Sequence, residues 1–224
     1  MAVHSIYRPM ARKRSDDKRR RILDAAVRVF ARKGFFGAKV SEIAQKANVA
    51  DGTIYLYFKN KEDILVSLFD EVMAEHLERG REEIRGIQGA PARLRAIAAH
   101  HLRLFGENRH LAVVFQVELR QSTRFLARFT SSWLQDYFGL LGDVIEEGQR
   151  EGTLRPDLPR RVATKVFFGA LDEMVTSWIL GDRKYDLARL ADPVVDLFLN
   201  GATSGRAEEA RPTLVAAAAA RGAK

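Results

Sequence analysis

Apolar residues recur every three to four positions along most of the chain, the spacing that places them on one face of an α-helix. Glycine, proline and asparagine interrupt this pattern, and no useful stretch alternates apolar with polar residues as a half-buried strand does. We therefore predict an all-α fold of about nine helices. The predicted helices cover residues 17–33, 41–46, 52–58, 60–77, 92–107, 110–119, 122–151, 158–180 and 187–199.

The first three predicted helices are short and closely spaced. Asp16 or Asp17 can cap the first helix, and Gly34 is a natural stop at its end. Asn48 ends the second helix, and Asp51 can cap the third. Two short helices around a tight turn are typical of a helix-turn-helix, which reads the major groove of duplex DNA.

A longer fourth helix separates this N-terminal head from the rest of the chain. We predict that it begins at Asn60, because Asp63 three residues later gives a capping-box-like arrangement. After Thr203 the sequence turns to Gly, Ala, Arg and Glu, which favours disorder. The predicted organisation is a basic flexible arm (1–15), a helix-turn-helix domain (16–60), a ligand-binding and dimerisation body (61–203) and a disordered tail (204–224).

The positive charge of the chain lies almost entirely in the head. Residues 1–61 hold 15 Lys or Arg against 5 Asp or Glu, whereas the remainder holds 22 against 24. A dense basic run at 12–21 lies directly before the helix-turn-helix. A basic run alone is equally well explained as a solvated tail, but its place beside this motif favours binding to DNA phosphates.

The composition of the chain excludes several kinds of metal site and argues against a membrane or secreted protein. The chain has no cysteine, which excludes disulfides, thiolate zinc sites and iron–sulfur clusters. No apolar run reaches about 18 residues, so we expect no membrane span. The N-terminus lacks the apolar segment of a signal peptide, and we expect a cytoplasmic protein.

The head resembles the TetR family of bacterial transcription regulators. The resemblance rests on Gly34-Phe35 and on VSEIAQKANVADGTIYLYFKNKEDIL, from Val40 to Leu65. It implies an all-α fold over residues of about 12–200, with a three-helix DNA-binding head, a connecting fourth helix and a body that binds a ligand and dimerises. Thr often stands in this family where the chain has Val40, so an apolar contact would replace a phosphate hydrogen bond there.

Residues on and around the second helix of the motif are the candidates for DNA contact. Hydroxyl groups of Ser41, Thr53 and the tyrosines can donate to phosphates, and Gly52 lets the backbone approach closely. For each tyrosine the alternative is a half-buried core ring with its hydroxyl at the surface. The candidates are Lys39, Val40, Ser41, Lys46, Ala50, Asp51, Gly52, Thr53, Tyr55, Leu56, Tyr57 and Lys61.

This helix has no Arg, Asn or Gln at its central positions, so strong bidentate base recognition from it is poor. We expect much of the specificity from Lys39 and Lys46, from methyl contacts, from DNA shape and from the basic arm.

Segments of the body resemble the acyl-CoA-responsive TetR-type repressors of fatty-acid degradation, the FadR type. They are LAVVFQVELRQS (Leu111 to Ser122), FGALDEMVTSWIL (Phe168 to Leu180) and the following GDRKYDL. This resemblance implies a repressor of β-oxidation genes that long-chain acyl-CoA releases from DNA. A sensor of another lipophile or drug, and an effector-independent DNA-architectural protein, remain alternatives.

Such an effector needs an apolar tunnel for the acyl chain and cations for the phosphates of CoA. The alternative for each apolar residue is an ordinary core position, and Arg120 could instead pair with Glu118 or Asp172. The candidates are Phe105, Arg109, Leu111, Phe115, Gln116, Leu119, Arg120, Phe138, Phe168, Leu171, Asp172 and Trp178.

The last two predicted helices carry more apolar surface than one face needs, which favours a partner. In the resembling family these helices form a four-helix dimer interface, and a two-fold dimer would bind a palindromic operator. The interface candidates are Val162, Val166, Val175, Leu190, Val194, Leu197 and Phe198.

Neither catalysis nor a cofactor is expected. Asp172 and Glu173 are adjacent carboxylates, but no nucleophile accompanies them, and we predict a polar contact from Asp172 to Arg120 or Gln116. The five His residues lack metal-ligand spacing, and we predict no metal.

Overall fold

The computed structural model describes residues 9–118, 120, 133–182 and 185–201, with side chains from Asp17 onward. These residues form helices and contain no strand, which confirms the predicted all-α class. The helices are α1 (Pro9–Gly37), α2 (Val40–Ala47), α3 (Asp51–Ile54), α4 (Lys61–Ile84), α5 (Ala90–Glu107), α6 (Arg109–Val113), α7 (Trp133–Arg150), α8 (Arg160–Leu180) and α9 (Ala191–Asn200). A π-helical turn (Val114–Glu118) continues α6, and a 3₁₀ turn (Leu187–Leu190) precedes α9.

The head is built from α1, α2 and α3 around a core of fully buried apolar side chains. Its largest members are Ile22, Phe30, Ile43, Ile54 and Phe58. The turn between α2 and α3 depends on Asn48, which adopts the left-handed conformation (φ 54°, ψ 54°) as its amide bonds back to Ala44 and Gln45. Asn48 therefore ends α2 as predicted, because asparagine tolerates positive φ better than most residues.

Two predicted helix starts are wrong. The first helix begins at Pro9 and not at Asp16 or Asp17, so residues 9–15 of the predicted flexible arm are helical. Asp51 is the first residue of α3, while Ala50 occupies the capping position without any side-chain bond. The helical hydrogen-bond pattern of α3 also ends at Ile54, earlier than predicted, and turns continue to Tyr57.

The fourth helix begins as the sequence predicts. The Asn60 side chain accepts from the Asp63 amide at 2.8 Å, and the Asp63 carboxylate accepts from the Lys59 amide at 2.8 Å. Bonds of this kind satisfy amide groups that the first helical turn leaves without intrahelical acceptors. From this start, α4 runs from the head into the body and packs on α1, α5 and α7.

The body surrounds α5, which contacts α4, α7, α8 and α9. Gly148 of α7 permits one close approach, because a Cβ there would lie 2.7 Å from the Cβ of Ala90 on α5. Helices α6, α8 and α9 follow the predicted segments, except that the chain enters the π-helical turn after Val113 and the 3₁₀ turn before Ala191. Leu119, the predicted helix before Trp133 and the predicted tail at 204–224 lie outside the described residues. No helix in the described ranges is long and apolar enough to span a membrane.

Candidate functional sites

The predicted DNA contacts surround the turn between α2 and α3. Tyr55 and Leu56 are 58% and 80% exposed, although large apolar side chains are usually buried. The backbone at Gly52 is open, with nothing within 4 Å of the place a Cβ would take. The other exposed candidates are Lys39, Ser41, Lys46, Ala50 and Asp51, and the half-buried ones are Val40, Thr53, Tyr57 and Lys61. This surface suits contact with a groove, and each residue's contact with DNA stays a prediction.

Lys61 already has partners within the protein. Its ammonium donates to the carbonyl oxygens of Phe36 at 3.2 Å and Ala38 at 2.8 Å, and it lies 4.7 Å from the centre of the Phe35 ring. It thereby fixes the segment between α1 and α2 against the start of α4. If Lys61 also contacts a DNA phosphate, its ammonium group must bind the phosphate in addition to these two carbonyl oxygens.

Two arginines of the basic run bind other parts of the protein and stabilise its fold. Arg21 donates to the carbonyl oxygens of Ala47 and Asn48, at the end of α2. Arg19 forms an ion pair with Glu71 of α4 and lies over the Phe58 ring. These arginines hold the head together, so a count of positive charges overestimates those free to bind phosphates.

The structure adds residues to the head surface that the sequence analysis missed. Phe36 is 70% exposed although its neighbour Phe35 is buried. Arg28 and Arg32 of α1 line a cleft of about 320 Å³ with Lys33 and Lys46. The spacing of four between the two arginines would have signalled a shared helix face.

In the body, a polar cluster links the π-helical turn to α8. Gln116 donates to Asp172 at 2.7 Å, and Arg120 pairs with the other oxygen of the same carboxylate at 2.5 Å. The Thr176 hydroxyl donates to the side-chain amide oxygen of Gln116 at 3.2 Å. The predicted polar contact of Asp172 is therefore confirmed. Arg120 remains about half exposed, so its guanidinium is accessible to a ligand from solvent.

Next to this polar cluster lies an aromatic cluster contributed by α4, α5, α7, α8 and the π-helical turn. The rings of Phe69 and Phe115 stack at 4.6 Å, and Phe168 meets Tyr137 and Phe138 edge-on at 5.7 and 5.3 Å. The predicted members are Phe105, Phe115, Phe138 and Phe168, with Leu171 buried nearby. The sequence analysis missed Phe69 of α4 and Trp133 and Tyr137 of α7, because no single segment shows that these two helices bring them together.

Two predicted ligand residues instead cap the end of α8. Arg109 donates to the carbonyl oxygens of Trp178 at 3.1 Å and Ile179 at 2.6 Å, and it lies over the Trp178 ring. The Trp178 indole in turn donates to the Tyr185 carbonyl at 3.0 Å. A cation at a helix C-terminus satisfies free carbonyl groups there and opposes the helix dipole. Leu111 of α6 is buried and lines a separate pocket with His76 and His100.

A buried histidine cluster lies between α4 and α5. The rings of His76 and His100 stack at 4.2 Å, and the Tyr137 hydroxyl lies 3.4 Å from the His101 ring nitrogen. Burial lowers the pKa of His76 to about 2 and that of His101 to about 4, and burial raises the pKa of Tyr137. Both histidines are therefore neutral at pH 7. Within the described ranges, no group of three or more His, Cys, Asp or Glu could hold a metal ion.

An apolar surface spans α8 and α9. Val162, Val166 and Leu197 are 53%, 55% and 57% exposed and, with Phe198, line a groove of about 550 Å³. Leu190 and Val194 are half-buried beside it. Val175 was wrongly included among the interface residues, because its side chain is 0% exposed within the protomer's own core.

The chain matches two families in sequence. Residues 22–68 match the bacterial regulatory proteins of the tetR family, and residues 69–201 match the C-terminal region of YsiA-like proteins. The fatty acid metabolism regulator protein of Bacillus subtilis (strain 168) is 42% identical over 189 residues, which cover 84% of this chain and 97% of that protein.

Two solved structures resemble the fold over most of its length. The fatty acid degradation regulator FadR from Bacillus halodurans is 40% identical, with a TM-score of 0.78, and the match covers 82% of this chain and 99% of that one. The transcriptional regulator FadR from Bacillus subtilis, solved in complex with stearoyl-CoA, is 42% identical with a TM-score of 0.79 and the same coverage.

Proposed function

Because the chain belongs to the TetR family of bacterial transcription regulators, we propose that it is a homodimeric repressor of fatty-acid degradation genes. In this proposal it binds a palindromic operator in the cytoplasm, and long-chain acyl-CoA releases it. The observation that carries the proposal is the similarity, over nearly the whole length of the relative, to a regulator solved with stearoyl-CoA. The chain is a transcription regulator and not an enzyme.

The head supports the DNA half of the proposal. The exposed Tyr55 and Leu56 beside the open backbone at Gly52 give α3 a surface that can enter the major groove. Lysine and arginine side chains around this surface supply the salt-dependent attraction to phosphates.

The groove between α8 and α9 supports the dimer. Three exposed aliphatic side chains close together are unfavourable in water, and a second copy of the same surface would bury them. A two-fold axis there would give the dimer two copies of α3, one for each half of a palindrome.

The body supports the effector half. The aromatic cluster can part to admit an acyl chain, because its rings come from separate helices. Each buried methylene contributes about 0.8 kcal/mol, so ten methylenes contribute about 8 kcal/mol. This exceeds the 1–3 kcal/mol, roughly, that typically couples two sites. Arg120 lies at the edge of the cluster, where its guanidinium can bind a phosphate of CoA.

The test is an operator-binding titration with three ligands. The operator is first selected from random duplex DNA, and its affinity for the protein is measured by fluorescence anisotropy. We expect stearoyl-CoA to release the DNA, and acetyl-CoA and stearic acid to do so far less, because each lacks one of the two recognised parts. Equal release by stearic acid and stearoyl-CoA would remove the CoA part of the proposal. No release by any acyl-CoA would favour a sensor of another lipophile.

A further inference from the structure

The last residue of the π-helical turn connects the body directly to the head. Glu118 is buried, and its Oε2 accepts a hydrogen bond from the Phe35 backbone N–H at 2.6 Å. The two residues are 83 positions apart in sequence. Both α6 and the π-helical turn pack on α1, so this bond lies inside a continuous contact between body and head.

On the head side, Gly34 makes this bond possible. Its backbone (φ 72°, ψ 161°) interrupts α1, so the Phe35 amide is turned away from the helical hydrogen-bond pattern. The Glu118 carboxylate oxygens lie 3.6 and 3.7 Å from the place a Cβ of Gly34 would take. From the other side, Lys61 of α4 holds the carbonyl groups of Phe36 and Ala38. The segment after Gly34 is thus held by α4 and by the π-helical turn together.

On the body side, the neighbours of Glu118 in sequence belong to the candidate effector site. Gln116 and Arg120 flank Glu118 at a distance of two residues, and both bind the Asp172 carboxylate of α8. Phe115, in the same turn, stacks on Phe69 in the aromatic cluster. A ligand that enters this cluster or competes with Asp172 for Arg120 acts on the same short segment that carries Glu118 and can therefore displace it. Single π-helical turns within α-helices are rare and are found frequently at functional sites.

We propose that Glu118 is a positioning residue that couples the effector site to the orientation of the DNA-binding head. This inference rests on the proposed function. Without effector, Glu118 holds Phe35, and the head keeps the orientation that binds the operator. When the effector draws the π-helical turn away, the buried Phe35 amide loses its acceptor, which disfavours that orientation. The coupling runs through α1 directly, in addition to the link that α4 provides.

The test compares Glu118→Ala and Glu118→Gln with a matched control, Glu151→Gln. The Glu151 carboxylate also accepts from a backbone amide, that of Ala90 at 3.2 Å, but the bond lies within the body. Operator affinity is measured without effector and with saturating stearoyl-CoA, and stearoyl-CoA affinity is measured on the protein free of DNA.

We expect opposite changes for the two ligands. Glu118→Ala should weaken operator binding about 5- to 10-fold and tighten stearoyl-CoA binding by a similar factor, because both changes report one shift between two states. The ratio by which stearoyl-CoA weakens operator binding should fall accordingly. Glu118→Gln should show a smaller effect, since its amide oxygen still accepts, and Glu151→Gln should resemble the wild type.

The results that would contradict the role of Glu118 differ from the result that would contradict the proposed function. A variant that binds both ligands more weakly has lost stability, which would assign Glu118 a structural role only. Wild-type affinities and ratio in Glu118→Ala would also overturn the coupling role, and so would tighter operator binding. A wild-type protein that no acyl-CoA releases would contradict the proposed function itself, independently of any Glu118 variant.

Discussion

Replacing Gly52 with alanine separates DNA binding from stability. Gly52 lies in α3 without a positive φ, and a Cβ there would have no neighbour within 4 Å. Alanine should therefore stabilise the protein by about 0.5–1 kcal/mol, because glycine loses more backbone freedom on folding. If the backbone at Gly52 lies against DNA, the methyl group should prevent at least one phosphate hydrogen bond. Such a bond contributes about 1.5–3 kcal/mol, so operator affinity should fall roughly 10- to 150-fold.

The assay pairs urea unfolding with operator binding at one fixed salt concentration. Gly139→Ala is the matched control, because Gly139 lies within α7 and also has nothing within 4 Å of its Cβ position. Both variants should unfold at higher urea than the wild type, but only Gly52→Ala should lose operator affinity. If Gly52→Ala is more stable and binds the operator normally, α3 does not approach DNA through this backbone and the placement of the recognition helix is wrong.

Three further predictions concern the dimer surface, the effector site and the buried histidines. Leu197→Asp should dissociate the dimer in light scattering, because a two-fold interface buries the unpaired charge twice, whereas Leu56→Asp should lose DNA but remain dimeric. Arg120→Ala should weaken stearoyl-CoA binding by about 10-fold or more and leave stearic acid unaffected, and Arg155→Ala, which removes an exposed guanidinium paired with Asp157, should change neither. Burial lowers the pKa of His101 from 6.5 to about 4 and that of His76 to about 2, so each histidine stabilises the protein fully only well above pH 6.5, and each should cost about 2 kcal/mol of stability on acidification to pH 5. His101→Phe should remove about half of this combined decline in urea unfolding, and an unchanged pH dependence would contradict the buried neutral state of His101.

The helices were predictable because amphipathic spacing is local information. The Asn60–Asp63 start of α4 needs only four residues of sequence, and the bond from the Asp63 amide to the Asn60 side chain forms as predicted, whereas the Asp63 carboxylate accepts from the Lys59 amide and not from that of Asn60. The same reasoning from capping preference was wrong at Asp51. Aspartate is a good capping residue, but the backbone places Ala50 in the capping position of α3. A capping preference of about 1 kcal/mol is small enough for the packing of α3 on the head to override it.

The proposed dimer surface shows where counting residues along a helix separates its two faces. Val162 and Val166 are four residues apart, which places them on one face of α8, and both are exposed. Val175 lies nine residues beyond Val166, about two and a half turns, so it falls on the opposite face and is buried. The error was therefore avoidable from the sequence, since the two faces of α8 follow from counting residues.

Contacts between distant segments account for what the sequence could not show. Arg109 resembled a phosphate ligand, but its guanidinium caps the end of α8 about 70 residues later. Glu118 resembled a partner for Arg120, yet Arg120 binds Asp172 and Glu118 binds the head. Residue spacing already disfavours a Glu118–Arg120 pair, because side chains two residues apart lie about 200° apart around a helix and do not face each other.

This spacing allows one short segment to contact both the body and the head. Within residues 116–120, side chains alternate between the body, through Asp172, and the head, through Phe35. An ordinary α-helix would place residues 116 and 118 about 200° apart and residues 116 and 120 on one face, which is compatible with two opposite partners. The π-helical turn lies at the point where these partners bind on different sides of the segment. A ligand that gains binding energy in the aromatic cluster can therefore move a few residues and change the head, without unfolding a long helix.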